Sequence, residues 1–417
     1  MHEFFISIKL AVNNLRANSG RTFLTLLGVV IGVVAVILVS SLGQGVKSFI
    51  LDQVNAFGTD LIQIEVKVPA TGKASTQNAM GQAQGIQITT MTIDDAKAIG
   101  KLSNIAAYAP GTMAQEITSY QNTNKRCLLF GVGPQYNQID QNTKLSDGSF
   151  FTQSEDDSLT QVAVIGSDIA EAFFGNDNPL GKNIKIKNQN YKIIGVAEPR
   201  GAMAGFNYDE LIFIPVQTMQ KKILGIDYIR FIMVKAEDEK LIDATAIDLT
   251  DEMRRLHKIT DPNKDDFGVT SIKEAQKTIE GVFKTINILL LALTSISLVV
   301  GGVGIMNVMY VAVAERTFEI GLRKAVGAKA KNILRQFLLE AIFITFFGGI
   351  IGIISGYFLL LALSYFSVFL GYAIELSLSG NAVSLAVGFS VATGIIFGYY
   401  PARAASKLSP MEALRKE

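Results

Sequence analysis

The sequence predicts an α-helical membrane protein with four transmembrane helices and a large α+β extracytoplasmic domain on a helical stalk. Three observations predict it. Charged residues make up only 18% of the 417 residues while hydrophobic ones make up 49%, against about 25% charge in an average soluble domain. The missing charge is confined to four uncharged runs, 22–46, 285–314, 341–374 and 376–402, each above the roughly 18 apolar residues that mark a membrane span. Between the first and second runs lie some 240 residues of ordinary composition with alternating strand and helix signals.

Residues 1–21 read as a short amphipathic helix on the cytoplasmic side, with Phe4, Ile8, Val12 and Leu15 on one face. The first span, 22–46, is longer than the 7–15 residue core of a cleaved leader and is followed by no A-x-A site, so it is expected to stay as an anchor. Its helical spacing continues through Val46, Phe49, Ile50 and Val54. The second span, 285–314, is preceded by Ser271-Ile-Lys-Glu274, the form of a capping box, so one helix is expected from about 271 through the membrane. These two extensions are the predicted stalk of the 47–284 domain. A loop follows at 315–340, then the third span (341–363), a short outer loop (364–376), the fourth span (377–402) and a tail (403–417).

Orientation follows from basic residues, which are retained on the cytoplasmic side. Segments 1–21, 315–340 and 403–417 together carry thirteen Lys and Arg against six acidic residues, whereas 47–284 carries 25 basic and 30 acidic residues. Both termini are therefore expected in the cytoplasm and the large domain outside, in a multi-pass protein of the bacterial inner membrane. Small residues four apart, at Gly28 and Gly32, at Gly348, Gly352 and Gly356, and at Gly394 and Gly398, are expected to let helices approach closely, within one chain or between chains.

In the large domain, strands are expected at 62–66, 125–132, 161–165 and 230–235, a hairpin at 183–198 turning at Asn188-Gln189-Asn190, and helices at 92–101, 167–174, 216–224 and 239–257. The stretch 69–84, dominated by Gly, Ala, Ser, Thr, Gln and Asn, reads as a loop. One cysteine, Cys127, closes no intramolecular disulfide, and a net charge of +1 gives no basic balance for nucleic acid. With only His2 and His257 and no catalytic motif, no catalytic residue and no metal site is expected; His257 reads as a surface-helix residue and Glu155-Asp156-Asp157 as a solvated tip. Gly175 to Asn183 falls short of a phosphate loop: its glycines are one residue too far apart and Asn183 replaces Ser or Thr. No cofactor is expected in this chain.

The loop segment from Ala314 to Lys329 is the charge-dense part of the cytoplasmic side. Phe318, Leu322 and Ala325 share one helical face with Ile320 nearby, charges cover the rest, and Gly327 ends the pattern. Docking of a protein and anchoring on lipid are equally compatible with these residues.

Gly301-Gly-Val-Gly-Ile-Met-Asn-Val-Met, followed by Ala314-Glu-Arg-Thr-Phe-Glu-Ile-Gly-Leu-Arg-Lys-Ala-Val-Gly-Ala, resembles the signature of the macrolide-exporter (MacB-type) permeases of ABC transporters, within the FtsX-like superfamily. The tail Gly398-Tyr-Tyr-Pro-Ala-Arg403, the opening around Asn14 to Val33, and Val162-Ala-Val-Ile-Gly with Asn178-Pro-Leu-Gly-Lys are similar too. The resemblance implies a homodimer, outer domains moved by mechanotransmission, and a separate ABC ATPase that binds ATP and magnesium and grips the loop. It maps coupling roles onto Glu315, Arg316, Glu319, Ile320, Arg323 and Lys324. It also implies export of amphiphilic compounds, with a possible periplasmic adaptor. Related readings are a lipoprotein-releasing permease and a non-transporting relay that activates a cell-wall hydrolase; the size of the outer domain favours an exporter over a relay.

Overall fold

The computed structural model describes residues 19–69, 87–203, 206–369, 374 and 376–415. The amino-terminal amphipathic stretch up to residue 18 and most of the 69–84 loop lie outside the described residues. The chain divides into two compact units, Met1–Phe49 with Ile279–Glu417, and Ile50–Thr278.

The first unit is built on four helices long and apolar enough to cross a membrane: Ser19–Asn55, Ile272–Glu315, Ala330–Phe369 and Gly380–Lys407. The first two outrun their uncharged windows at both ends and the last two on the 315–340 and 403–417 sides only, because a charge gap marks where lipid would be and helical hydrogen bonding continues past it. At about 1.5 Å per residue the 44-residue second helix greatly exceeds a hydrocarbon core of about 30 Å. It starts where Ser271 Oγ accepts the Glu274 backbone N–H at 3.2 Å, the N-cap predicted from sequence. Lys47 on the first helix and Glu280 on the second pair at 2.8 Å.

The small residues make the close approaches inside this one chain. A Cβ on Gly28 would sit 2.9 Å from Gly301 Cα, and one on Gly32 would strike Leu298, so the first and second helices meet backbone to backbone. Gly348, Gly352 and Gly356 of the third helix lie against Val29, Val33 and Ile37 of the first. Both sets repeat every four residues, so the valine and isoleucine branches fill the flat glycine stripe. Gly394 and Gly398 of the fourth helix face Thr345 and Ala341 of the third.

The second unit is α+β. Its strands are β1 (Leu61–Val66), β2 (Ile105–Tyr120), β3 (Thr123–Val132), β4 (Leu145–Gly148), β5 (Val162–Ile165), β6 (Asn183–Ile186), β7 (Gln189–Ala197), β8 (Ala202–Met203), β9 (Phe206–Asn207), β10 (Leu211–Pro215), β11 (Phe231–Ala236) and β12 (Phe267–Ser271). The main sheet runs β12-β1-β11-β2-β3-β10-β5-β7-β4, and β6 pairs with both β2 and β7. That double pairing closes β2, β3, β10, β5, β7 and β6 into a ring, so these six strands form a small barrel. Its interior holds Cys127, Leu129, Ile184, Ile186, Tyr191, Ile193, Ile212 and Ile214. β12, β1 and β11 extend the sheet, packing Ile62, Ile64, Ile232 and Val234 against the helices Ile93–Ile99 and Ile242–His257.

Three expectations are corrected here. The hairpin turns at Lys187-Asn188, both with positive φ (50° and 63°), because Ile186 already pairs with Gln189; this is the two-residue turn in which asparagine tolerates the left-handed region. Asp156 is buried, not solvated: it belongs to a short helix, Gln153–Asp157, capped by Thr152, and it accepts the Gln217 backbone N–H at 2.9 Å and Gln217 Nε2 at 3.1 Å. His257 is no surface residue. Its side chain is 6% exposed, with Nδ1 2.8 Å from Asp266 and Nε2 3.6 Å from Asp95. The hydrogen bond to Asp266, then the Asp95 carboxylate, push the imidazole up to about 9 against the opposing cost of burial.

Candidate functional site

The segment between the second and third membrane helices folds as the sequence leads one to expect. After Glu315 the chain kinks at Arg316, a nine-residue helix runs Thr317–Ala325, and Gly327 (φ +102°) turns the chain into the third helix at Ala330. Glycine at that turn avoids the steric cost a Cβ would carry at positive φ.

How the loop helix presents its residues differs from the sequence reading. Its inward face is Ile320 and Gly321, both buried. A Cβ on Gly321 would lie 2.5 Å from the Ala413 Cβ, so the loop helix packs closely on the short helix Pro410–Arg415. Phe318 and Leu322, expected on the apolar face with Ile320, are 55% and 50% exposed, and Val326 beyond them is 83% exposed. Residues at 318, 322 and 326 are four apart and share one face. The apolar side of this helix is therefore split: one half is used inside the chain and the other half is open.

The charged residues assigned to coupling also divide. Lys324 turns inward, donating to the backbone carbonyls of Ser406 and of Leu408 (2.7 Å). Those carbonyls lie at the end of the fourth membrane helix, where a cation offsets the partial negative charge of unpaired C=O groups. Arg316 reaches back to Glu340 of the third helix at 3.4 Å, and Glu340 is only 8% exposed. Glu319 and Arg323 pair with each other across one turn, and Arg323 also donates to Gln336 at 2.7 Å. Glu315 is exposed at the end of the second helix. So Ile320, Arg316 and Lys324 hold the helix in place, while Glu315 and the Glu319–Arg323 pair flank the open face. Phe318, Leu322 and Val326 were missing from the assigned set; their i, i+4, i+8 spacing is the signal that finds them, once Gly321 shows which side is packed.

Among the described residues, no group of three or more His, Cys, Asp or Glu side chains is arranged to hold a metal ion. The arrangement offers a helix locked to the third and fourth membrane helices on one side and open on the other. A multi-pass membrane protein with a large α+β insertion after its first span and such a helix after its second belongs to the class of transporter permeases.

Comparison with known proteins gives the family. The model of the MacB-like periplasmic core domain matches residues 22–252, and that of the FtsX-like permease C-terminal domain matches 291–410. The chain belongs to the MacB-type, FtsX-like permeases of ABC transporters. It is 34% identical over 419 residues to the macrolide export ATP-binding/permease protein MacB of Azoarcus sp. (strain BH72), covering 100% of this chain and 60% of that protein. The Bdellovibrio bacteriovorus protein of the same name is 36% identical over 405 residues, covering 97% of this chain and 60% of its own length. The chain thus spans about 60% of the length of these curated relatives. Among solved structures, the periplasmic region of MacB from Actinobacillus actinomycetemcomitans is similar, with a TM-score of 0.46 and 26% identity over 55% of this chain and 97% of that one.

Proposed function

We propose that this chain is the membrane subunit of an ABC exporter in the bacterial inner membrane. The large domain and the link between spans three and four face outward, and both termini and the loop helix face the cytoplasm. An ABC ATPase, a partner chain that carries the ATP and magnesium, seats on the loop helix. The observation that carries the reading is the open Phe318–Leu322–Val326 face on a helix whose other side is pinned through Ile320, Gly321 and Lys324. A lipid anchor needs no such rigid backing, whereas a lever driven by a nucleotide cycle does.

The chain works as a homodimer. The second membrane helix leaves Ile288, Leu289, Leu293, Ile296 and Val300 exposed along its length, a surface available to a second copy. Closure of the ATPases is passed through the loop helices to the outer domains, which expel amphiphilic compounds, such as antimicrobial peptides or macrolides, from the outer side of the membrane, with a periplasmic adaptor as further partner. Macrolide export is what the names of the relatives say of those proteins.

The test is affinity purification of the tagged full chain from its host membranes, with wild type compared to Phe318→Asp. The reading expects an ABC ATPase to co-purify with the wild type and to be lost with the variant. An ATPase recovered equally with both would overturn the docking face, and a secreted hydrolase in place of an adaptor would replace export with the relay.

A further inference from the structure

The large domain holds a second feature that the transport reading does not use. On the face of the sheet outside the barrel, five adjacent strands line a recess of 210 Å³. The strand register puts its residues on one side: Gln63 lies opposite Met233, Phe231 opposite Gly111, Met113 opposite Phe130, and Leu211 opposite Leu128. The floor is aromatic and flat. Phe231 stacks on Phe130 with centroids 5.5 Å apart at 21°, and the Phe231 ring lies directly over Gly111, where a Cβ would come within 2.1 Å of it. Tyr136 stands edge-on to Phe130 at 5.5 Å as an end wall, and Phe57 and Tyr208 close the side.

The lining is neutral. Among the described residues that line it, none is charged, and burial pushes the Tyr208 phenol up to about 12. The nearby cation, Arg200, lies 4.0 Å over the Tyr208 ring and 5.5 Å over the Phe57 ring and is neutralised by the buried Asp140 at 2.6 Å. One polar side chain, Gln63, stands at the exposed rim and supplies a donor and an acceptor. The tyrosine wall is held from behind, since the Tyr136 hydroxyl donates to the same Asp140 at 3.0 Å. A cavity of about 150 Å³ lined by aliphatic and aromatic groups is large enough for benzene, and drug-sized sites start at about 300 Å³.

We propose that this recess is a binding site for a neutral, flat, one- or two-ring apolar group, taken as a small free compound or as the ring of a larger one. Its aromatic floor stacks the ring, and its neutral walls exclude anions and cations, which would lose hydration there without a partner. The site stands whether or not the chain exports anything.

The test is photolabelling of the purified full chain with 3-trifluoromethyl-3-phenyldiazirine, a neutral one-ring probe, with labelled residues mapped by mass spectrometry. Outside the membrane helices, label is expected to concentrate on Met113, Leu128, Phe130 and Met233, to saturate, and to fall about tenfold with excess naphthalene but not with naphthalene-1-sulfonate. Filling the recess with Leu128→Trp should abolish that label. Gln63→Trp, at an exposed position of β1, blocks the recess from its rim, leaves the packed floor untouched and should do the same. Label spread evenly over the domain, label undiminished in Gln63→Trp, or equal competition by the sulfonate would each overturn the proposal.

Discussion

Replacing His257 with glutamine removes a cation held between two carboxylates, and the size of the effect follows from the geometry. With Nδ1 2.8 Å from Asp266 and Nε2 3.6 Å from Asp95, the imidazole is raised from 6.5 to about 9. At 1.36 kcal/mol per pH unit that rise corresponds to about 3 kcal/mol of stability, and little of it is screened because the side chain is only 6% exposed. A raised pKa places this stability fully below pH 6.5, with loss as pH climbs through about 9. The two carboxylates, held below their usual 3.8 against their own burial by His257, which is hydrogen-bonded to Asp266 and ion-paired with Asp95, and by neighbouring threonines, work the other way. Their share is present above 3.8 and lost as pH falls through their lowered values. The domain should therefore be most stable between about pH 4 and 6.5 with respect to this cluster. With only two histidines in the chain, selective ¹³C-histidine labelling gives two resonances, and His2→Ala leaves one. The remaining signal should titrate near 9, and hydrogen exchange in residues 242–271 should accelerate above that pH in the wild type, and at pH 6 in His257→Gln. Titration near 6.5 would refute the buried ion cluster and restore a surface histidine.

Two further substitutions probe the membrane unit. Lys324→Met removes the cation that bridges the loop helix to the Ser406 and Leu408 carbonyls; about 1–3 kcal/mol is expected to go, read as faster hydrogen exchange over 317–325 and 410–415, and unchanged exchange would return Lys324 to the partner-facing side. Gly352→Leu drives a Cβ to 2.8 Å from Val33 and 3.1 Å from the Val30 carbonyl, an overpacking worth about 1–3 kcal/mol; the detergent-solubilised protein should melt at lower temperature, and a normal melting curve would mean that the first and third helices do not pack through this stripe.

How much of this was legible in sequence depended on the kind of signal. The spans were readable because lipid tolerates no long charged run, so absence of charge at 22–46 or 285–314 is itself the pattern. Capping chemistry is equally local: Thr92 and Ser271 announce their helices and both accept the expected backbone N–H. β2 was missed because Ile105–Tyr120 mixes Ala, Pro, Gly and Thr with no alternation, its middle being covered on both sides. The closure of the barrel depends on β6 meeting β2, with Thr118 opposite Ile186 and Ser119 opposite Lys185, a separation that no local periodicity encodes. His257 was misread for the same reason. Its partners Asp95 and Asp266 come from a separate helix and from beside β12, and only the fold brings them together. On the loop helix, periodicity groups Phe318, Leu322 and Ala325 with Ile320 nearby and cannot say which of these the Pro410–Arg415 helix covers; the structure buries Ile320 and leaves Phe318 and Leu322 exposed.

The central claim is that the open face of the loop helix receives the ATPase. Its most direct test places a photo-crosslinking amino acid at Phe318 and, separately, at Ile320 in the full chain in native membranes. Crosslinks from 318 to an ABC ATPase, with position 320 crosslinking only within the chain, are the predicted result. Crosslinks from 318 to lipid alone would contradict the account and leave the helix as a membrane anchor.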